Sequence, residues 1–432
     1  MLAESVRRRG KAKVAKGQGR AVQCSGLRLA CLALAIQLVA AGCLGSSASP
    51  SASTSLSALP SPLAKTSTAA LPSATPTLSP TASPTPTATP KPVGKFIKTG
   101  SLLGDRVEGA TSTVLANGWV LVTGGDDSLA PANVYMLYAS AEIYNPATGL
   151  WSKTGSMAHG RSYHTATLLR SGKVLIVGGS DSKKAELYDP ATGKFSLTGT
   201  MTSPASYHTA TLLRDGRVLI AGGSDGGPYA GGSYLASAEI YDPGTGKFSP
   251  TGSMKVAREN AQAVLLPSGK VLIVGGDLGM SSAGGWDSLE SAEIYDPGTG
   301  KFTPTGSMNI PRTQFSATLL PTGKVLVAGD ADTNGPEMAE IYDPGTGKFT
   351  RLQSWDKSAA ARLLFIQPVL LLDGRVLILG GNDAGDPPML YDPATDAYSP
   401  VSDLPTGGVL LPVVLQNGSV LMPGAPSNLY VP

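Results

Sequence analysis

Short apolar segments recur along most of the chain, and two kinds follow one another. In one stretch, YHTATLL (163–169) alternates polar and apolar residues, whereas KVLIVGG (173–179) is continuously apolar. AELYDP (185–190) and KFSLTGT (194–200) follow. Alternation indicates a strand with one buried face, and an unbroken Val-Leu-Ile-Val run indicates a strand covered on both faces. The pattern therefore predicts a unit of four antiparallel strands with its most apolar strand in the middle.

The segments between these strands have turn composition. Arg-Asp-Gly-Arg (214–217) is typical of a tight hairpin. Asp189-Pro190 predicts the start of a type I turn in which Gly193 takes a positive φ. Both turns are too short to cross a sheet, so they support antiparallel neighbours.

The four-strand unit occurs seven times. A glycine ends each apolar second strand, at Gly124, Gly178, Gly222, Gly275, Gly329, Gly380 and Gly424. A tyrosine marks each third strand, at Tyr144, Tyr188, Tyr241, Tyr295, Tyr342, Tyr391 and Tyr430. Successive glycine markers lie about 44 to 54 residues apart, close to the ~50-residue period of kelch repeats.

These repeats resemble the kelch family, including the propeller of galactose oxidase. The resemblance implies an all-β fold, a seven-bladed kelch-type β-propeller over residues 95–432. The seventh repeat stops after Tyr430 without a fourth strand, while residues 95–101 look like a fourth strand without predecessors. We therefore expect the N-terminal strand to close the ring by completing the last blade.

Composition agrees with many short strands. The chain has 53 glycines and 34 prolines, and only 15% of its residues are charged. All three cysteines, Cys24, Cys31 and Cys43, precede the repeats, so the repeats contain no disulfide and no cysteine-ligated metal.

The N-terminal 42 residues have the layout of a signal peptide. Eight basic residues precede or enter an apolar stretch, Leu29–Ala41, which is shorter than the ~20 residues of a membrane-spanning helix. A permanent transmembrane anchor is therefore the less favoured alternative. The ending Val-Ala-Ala-Gly-Cys (39–43) resembles a bacterial lipobox, which implies cleavage before Cys43 and lipidation of its sulfur. We expect an exported, membrane-anchored lipoprotein on the cell surface or the periplasmic face.

Residues 43–94 begin with that cysteine and are otherwise rich in Ser, Thr, Ala and Pro. Such a segment buries too little apolar surface to fold, so it is predicted to be a disordered stalk. Beyond residue 42 the chain carries 26 basic and 30 acidic side chains, a net charge of about −4. Without a basic cluster, nucleic acid is not an expected partner.

Candidate binding loops lie between the second and third strands of three repeats, at 126–138, 224–237 and 277–291. Insertions confined to one face of a repeat fold usually mark the binding face. The aromatic residues of these loops are suited to stacking on a sugar or gripping a peptide. They are Tyr135, Tyr138, Tyr229, Tyr234 and Trp286. The alternative is that they fold back and cover the propeller edges.

Arginines recur where the chain leads into each first strand, near the expected central channel. They are Arg106, Arg161, Arg258, Arg312 and Arg362. A ring of arginines is able to bind an anionic ligand. The alternative is structural, because acids recur too, and Arg–Glu pairs within the blades account for both series. The recurring glutamates are Glu142, Glu186, Glu239, Glu293 and Glu340.

Two histidines, His164 and His208, occupy the same position in adjacent repeats, with His159 close by. A two-histidine metal site is conceivable there, but packing within the repeats is the favoured interpretation. The copper site of galactose oxidase needs a cysteine crosslinked to a tyrosine, and no cysteine follows Cys43. We therefore predict neither a metal nor another cofactor.

No P-loop and no His-Glu-x-x-His motif occurs, so the sequence favours a binding protein and leaves enzymatic activity open. The leading hypothesis is a monomeric, envelope-anchored module that recognises an extracellular glycan or protein through its loop-rich face. The alternatives are a lyase or hydrolase acting on extracellular polysaccharide, and a structural envelope protein.

Overall fold

A computed structural model describes residues 94–104, 106, 108–127, 136–180, 182–226, 232–280, 285–329, 339–352, 367–379, 388–401 and 412–432. Every regular element within these ranges is a β-strand. None of the described residues forms a helix long and apolar enough to cross a membrane. Cys43 and the segments on either side of it lie outside the described residues.

Seven four-stranded antiparallel sheets form the blades. Blade 7 contains the first strand, β1 (Lys95–Lys98), together with the last three, β28 (Val413–Val414), β29 (Val420–Met422) and β30 (Asn428–Val431). Blade 1 contains β2 (Glu108–Val114), β3 (Val120–Asp126), β4 (Ala141–Asn145) and β5 (Leu150–Lys153). Blade 2 contains β6 (Thr165–Leu168), β7 (Val174–Val177), β8 (Lys184–Asp189) and β9 (Lys194–Thr200).

The remaining blades follow in chain order. Blade 3 contains β10 (Thr209–Leu212), β11 (Val218–Ala221), β12 (Ala238–Asp242) and β13 (Lys247–Pro250). Blade 4 contains β14 (Gln262–Leu265), β15 (Val271–Val274), β18 (Ala292–Asp296) and β19 (Lys301–Pro304). Blade 5 contains β20 (Phe315–Leu319), β21 (Val325–Gly329), β22 (Glu340–Asp343) and β23 (Lys348–Arg351). Blade 6 contains β24 (Gln367–Leu370), β25 (Val376–Leu379), β26 (Met389–Asp392) and β27 (Ala397–Pro400).

The blades are arranged in a ring around a central channel. The first strand of each blade contacts the first strand of the next, from β2 through β6, β10, β14, β20, β24 and β28, and β28 contacts β2. β1 pairs antiparallel with β30, with Lys95 opposite Val431 and Lys98 opposite Asn428. The two ends of the described chain therefore share blade 7.

The apolar second strands are buried on both faces. In β7, Val174 and Ile176 pack in one core with Leu121 of blade 1, while Leu175 and Val177 pack in another with Val218 of blade 3. Successive side chains of a strand point to opposite faces, so one strand supplies two cores. This confirms the prediction drawn from the unbroken apolar runs.

Tyrosines of the third strands fasten neighbouring blades together. The Tyr188 hydroxyl lies 2.9 Å from the hydroxyl of Thr154, which follows the last strand of the preceding blade, and its ring packs on Phe195. The same Thr–Tyr contact, at 2.8 to 2.9 Å, recurs at Tyr144, Tyr241, Tyr295 and Tyr342. The repeated Thr-Gly segment and the repeated tyrosine are therefore two halves of one contact between blades.

A glycine pair ends five of the seven second strands, and close packing requires it. Gly178 has φ 69°, and a Cβ there would lie 2.1 Å from the carbonyl oxygen of Ala205 in the next blade. The predicted positive φ of Gly193 is confirmed at 66°.

One element was not predicted from the sequence. The segment treated as an extended loop, 277–291, contains a two-stranded hairpin of β16 (Asp277–Met280) and β17 (Trp286–Ser288). Its strands are only four and three residues long, too short for a periodicity to mark them.

Candidate functional site

The long loops and the leading segments, the residues that precede the first strand of each blade, lie side by side. The backbone N–H of Arg161 donates to the carbonyl of Tyr138 at 3.1 Å. Arg258 donates to Leu235 and Arg312 to Leu289 in the same way, each at 3.2 Å. Both sets therefore occupy one face of the propeller, which we call the loop face.

Four of the five predicted arginines form ion pairs inside their own blades. Arg106 lies 2.8 Å from Glu142, Arg161 3.0 Å from Glu186, Arg258 3.6 Å from Glu293 and Arg312 3.5 Å from Glu340. All eight side chains are at most 2% exposed. Arg362 lies outside the described residues. The geometry is that of the structural alternative, and an anionic ligand would have to displace the glutamates.

Each pair also satisfies backbone groups. Arg161 donates to the carbonyls of Gly178 and Lys184, both at 2.7 Å, and Glu186 accepts the N–H of Ala158 at 2.7 Å. The unit thus ties the second strand, the third strand and the leading segment together. Burial lowers the pKa of Arg161, and Glu186 opposes that shift.

Blade 3 lacks the arginine because Ala205 stands in its place. Glu239 still accepts the N–H of Thr202 at 2.9 Å, but its Oε2 has no hydrogen-bond partner among the described residues. The glutamate therefore recurs in blade 3 without its arginine.

The two equivalent histidines belong to a hydroxyl network in the channel wall. Nε2 of His164 lies 2.8 Å from Thr123 Oγ1 and 3.1 Å from Thr111 Oγ1, and Nε2 of His208 lies 2.9 Å from Thr165 Oγ1. Burial lowers the pKa of His164 to about 3 and that of His208 to about 4, so both rings are neutral at pH 7. Within the described ranges no three His, Cys, Asp or Glu side chains form a metal-binding group.

The aromatic residues of the loops have different surroundings. Tyr234 is 37% exposed, and its hydroxyl lies where a side chain on Gly279, in the β16–β17 hairpin of blade 4, would project. Trp286 is half-buried and stands opposite Met280, which is 52% exposed. Tyr138 donates its backbone N–H to Gly125 at 2.8 Å. Tyr135 and Tyr229 lie outside the described residues.

A group of residues not predicted from the sequence surrounds the channel on the loop face. Tyr163, Tyr207, Asn260 and Gln314 each precede a first strand and have φ between 48° and 57°. The N–H of Tyr163 donates to Gly109, that of Tyr207 to Tyr163 and that of Asn260 to Tyr207, at 2.8 to 3.1 Å. This backbone chain runs from blade to blade around the axis. Left-handed conformations of residues other than glycine have no sequence signal here, so only the fold reveals the group.

These residues and those immediately before them form what we call the channel mouth. In the five blades where it is described it consists of Glu108-Gly109, Ser162-Tyr163, Ser206-Tyr207, Glu259-Asn260 and Thr313-Gln314. Hydroxyl–carboxylate bonds link neighbouring blades there: Ser162 donates to Asp126 and Thr313 donates to Asp277. Between blades 3 and 4 the carboxylate belongs to the channel mouth and the hydroxyl to the segment after the second strand: Ser224 donates to Glu259.

The string Gly222-Gly223-Ser224-Asp225-Gly226 has the Gly-x-Ser-x-Gly spacing of a hydrolase nucleophile elbow. In such elbows the serine stands between a strand and a helix. Here the segment follows β11, the next regular element among the described residues is β12, and Ser224 is buried against Glu259. The match therefore reflects the glycine pair of the repeat.

Comparison with known proteins agrees with the architecture. Residues 205–255 and 263–309 match the kelch motif family model. The protein is a seven-bladed β-propeller with kelch motifs. No curated protein matches its sequence significantly.

Two solved structures resemble the propeller. One is described as a fungal alcohol oxidase of the AA5 family in complex with copper; it has a TM-score of 0.60 and 17% identity, over 78% of this chain and 76% of the oxidase. The other, YjhT, has a TM-score of 0.48 and 14% identity, over 59% of this chain and 86% of its own. At 17% identity the first likeness concerns the fold alone.

Proposed function

We propose that the propeller is an exported, lipid-anchored binding module that presents its loop face to a glycan or protein ligand. The supporting observation is a patch on blades 3 and 4 formed by Tyr234, Met280 and Trp286, which we call the aromatic patch. Its side chains are half-buried to exposed and come from two loops in contact with each other. Tyrosine, tryptophan and methionine are enriched in recognition surfaces.

The opposite face of the propeller offers less for recognition. Its turns are short and each is closed by its own hydrogen bonds, such as Gly172 N to Leu169 and Gly193 N to Asp189. Their carboxylates are engaged locally, as in the 3.2 Å pair of Lys173 and Asp189. Varied loops on one face and uniform turns on the other favour the loop face as the binding surface.

The binding proposal is tested on the aromatic patch. An aromatic contact contributes ~1 kcal/mol beyond its buried area. Trp286→Ala or Tyr234→Ala should therefore weaken binding several-fold to the strongest hit from arrays of glycans and envelope proteins, without lowering the melting temperature. The matched controls are Lys194→Ala and Lys247→Ala on the opposite face, which should leave affinity unchanged. Affinity that follows the lysines and ignores both aromatic residues would overturn the proposal.

The anchoring proposal concerns Cys43. Its thiol is the nucleophile needed for thioether formation, which serine lacks. Cys43→Ser should abolish incorporation of radiolabelled palmitate and release the protein from the membrane fraction or leave an uncleaved precursor. Equal labelling of both proteins would show that Cys43 is not the attachment point.

A further inference from the structure

Two tyrosines form an aromatic surface at the channel mouth. The rings of Tyr163 and Tyr207 lie 4.3 Å apart at an interplanar angle of 34°, and both are half-buried. The Tyr163 hydroxyl donates to the exposed carboxylate of Glu108 at 2.7 Å. Rings held at the centre of the loop face are suited to stacking on the C–H face of a sugar.

The polar groups of the channel mouth are acids, amides and hydroxyls. Its ten described positions include Glu108 and Glu259 and no lysine or arginine. The four described arginines of the leading segments pair with glutamates within their own blades. Among the ten described positions the only charged side chains are therefore acids.

The acids near Glu259 lack a compensating cation among the described residues. Glu259 is 9% exposed and Asp277, opposite it in the same blade, is fully buried; neither forms an ion pair with a described residue. Asp277 is held by Asn260 at 2.9 Å, by Thr313 and by the N–H of Gly279 at 2.8 Å. Burial, with Asp277 adding to the effect and Ser224 opposing it, raises the pKa of Glu259 to about 7. Burial raises the pKa of Tyr234, and the negative charges of Glu259 and Asp277 raise it further.

One hydroxyl of the channel mouth is buried without a partner among the described residues. Ser206 is 0% exposed, and its Oγ bonds to none of them, although the equivalent Ser162 and Thr313 each donate to a carboxylate. Buried hydroxyls are nearly always hydrogen-bonded, so an unpaired one needs an explanation. At 0% exposure the Ser206 hydroxyl is not accessible to a ligand, so contacts with a ligand fall to the half-buried and exposed residues of the channel mouth, such as Glu108 and Asn260.

We propose that the channel mouth binds a sugar ring that is either neutral or carries a protonated amine, and that it excludes sugars bearing a carboxylate. Tyr163 and Tyr207 stack on the ring, while Glu108 and Asn260 hydrogen-bond its hydroxyls. Glu259 favours an amine because the two charges compensate each other in a site where an unpaired carboxylate is costly. A sugar carboxylate meets like charge and no cation from the ten described positions. This inference rests on the proposed binding function and names its ligand class.

The test uses the full chain and three tetrasaccharides. Cellotetraose is neutral. The β-1,4-linked tetramer of glucosamine, without acetyl groups, carries protonated amines, and tetragalacturonate carries carboxylates. Calorimetry at pH 7 should show binding of the first two, with the glucosamine tetramer tighter, and binding of tetragalacturonate at least about tenfold weaker, a factor that corresponds to ~1.4 kcal/mol. Binding of none of the three, or equal affinity for the neutral and anionic sugars, overturns the proposal.

The variants use residues that the repeat already accepts. Tyr163→Asn and Tyr207→Asn introduce the residue found at the equivalent position 260, which suits the left-handed backbone. Each should weaken binding of cellotetraose about fivefold, from the loss of one stacked ring. Tyr207→Phe keeps the ring and should retain affinity. Glu108→Lys should improve binding of tetragalacturonate and weaken that of the glucosamine tetramer.

The outcomes separate this inference from the proposed function. Loss of sugar binding in Trp286→Ala together with full binding in both asparagine variants would leave the loop face as the binding surface and refute the channel-mouth site. Unchanged melting temperatures in the asparagine variants would show that their effect comes from the ligand contact. If those variants unfold, the charge exchange at the exposed Glu108 decides the case.

Discussion

At the scale of single residues, the buried Arg–Glu pairs show how the repeat handles charge in its interior. Arg161 and Glu186 are both almost fully buried and satisfy three backbone groups between them. Burying a charge is tolerated only when its partner and its hydrogen bonds are in place. The recurring arginines and glutamates are therefore one structural device.

Removing one member of such a pair should be costly. Arg161→Ala leaves Glu186 buried without its cation, so we expect the free energy of unfolding to fall by about 3–5 kcal/mol in urea titrations. The control is Arg217→Ala, which breaks the exposed 2.7 Å pair with Asp215 and should change stability by less than ~1 kcal/mol. Arg161→Met combined with Glu186→Leu should recover part of the loss. Equal effects of the two single alanine variants would refute the structural role, and lost affinity for an anionic ligand at constant stability would assign Arg161 to binding instead.

At the scale of elements, glycines at the ends of strands differ from glycines in turns. Gly178 faces the backbone of the next blade, whereas a Cβ on Gly172, in the turn between β6 and β7, would meet no atom within 4 Å. Both have positive φ, so both require a left-handed backbone. The first glycine therefore serves packing between blades as well as local conformation.

This difference can be measured with two alanine substitutions. Gly172→Ala should cost about 1–2 kcal/mol of stability, the penalty of a left-handed alanine. Gly178→Ala carries the same penalty and in addition forces the leading segment of blade 3 away, so it should cost at least ~2 kcal/mol more. Thermal unfolding followed by circular dichroism gives both values. Similar losses would mean that the blades separate more easily than their contacts indicate.

At the scale of the whole molecule, blade 7 combines strands from the two ends of the described chain. Phe96 of β1 packs on Tyr430 of β30, with ring centroids 5.3 Å apart, and Trp151 of blade 1 donates to Ser427 beside the same blade at 3.1 Å. Blade 7 thus connects the first and last repeats. In a ring of repeats each blade depends on both neighbours, so a defect in one contact is transmitted to all.

Deleting β1 should therefore destabilise the entire propeller. Removal of Lys95–Lys98 leaves the backbone of β30 unpaired along one edge, and we expect a single transition at a clearly lower melting temperature. The control is Lys98→Thr, which keeps a good strand former at an exposed position and should melt like the parent. A deletion variant with the parent's melting temperature would show that β1 contributes little to the ring.

The sequence by itself determined the class of fold, the number of blades and the strand order within each blade. These features are local. Alternating polar and apolar residues indicate a strand with one buried face, an unbroken apolar run indicates a strand buried on both faces, and each turn needs its own glycine or Asp-Pro. Residues equivalent to Gly178 and Tyr188 occur in all seven repeats, and they establish the number of blades. The loop face also followed from the sequence, because hairpins alternate direction.

Only the tertiary structure decided which polar residues meet. The sequence offered two interpretations of Arg161, and only the fold brought its guanidinium to Glu186, 25 residues away. The channel mouth depends on ring geometry, because Tyr163, Tyr207 and Glu108 lie in three different blades and converge only around the axis. The convergence of these three residues is a property of the assembled ring, and no single repeat encodes it.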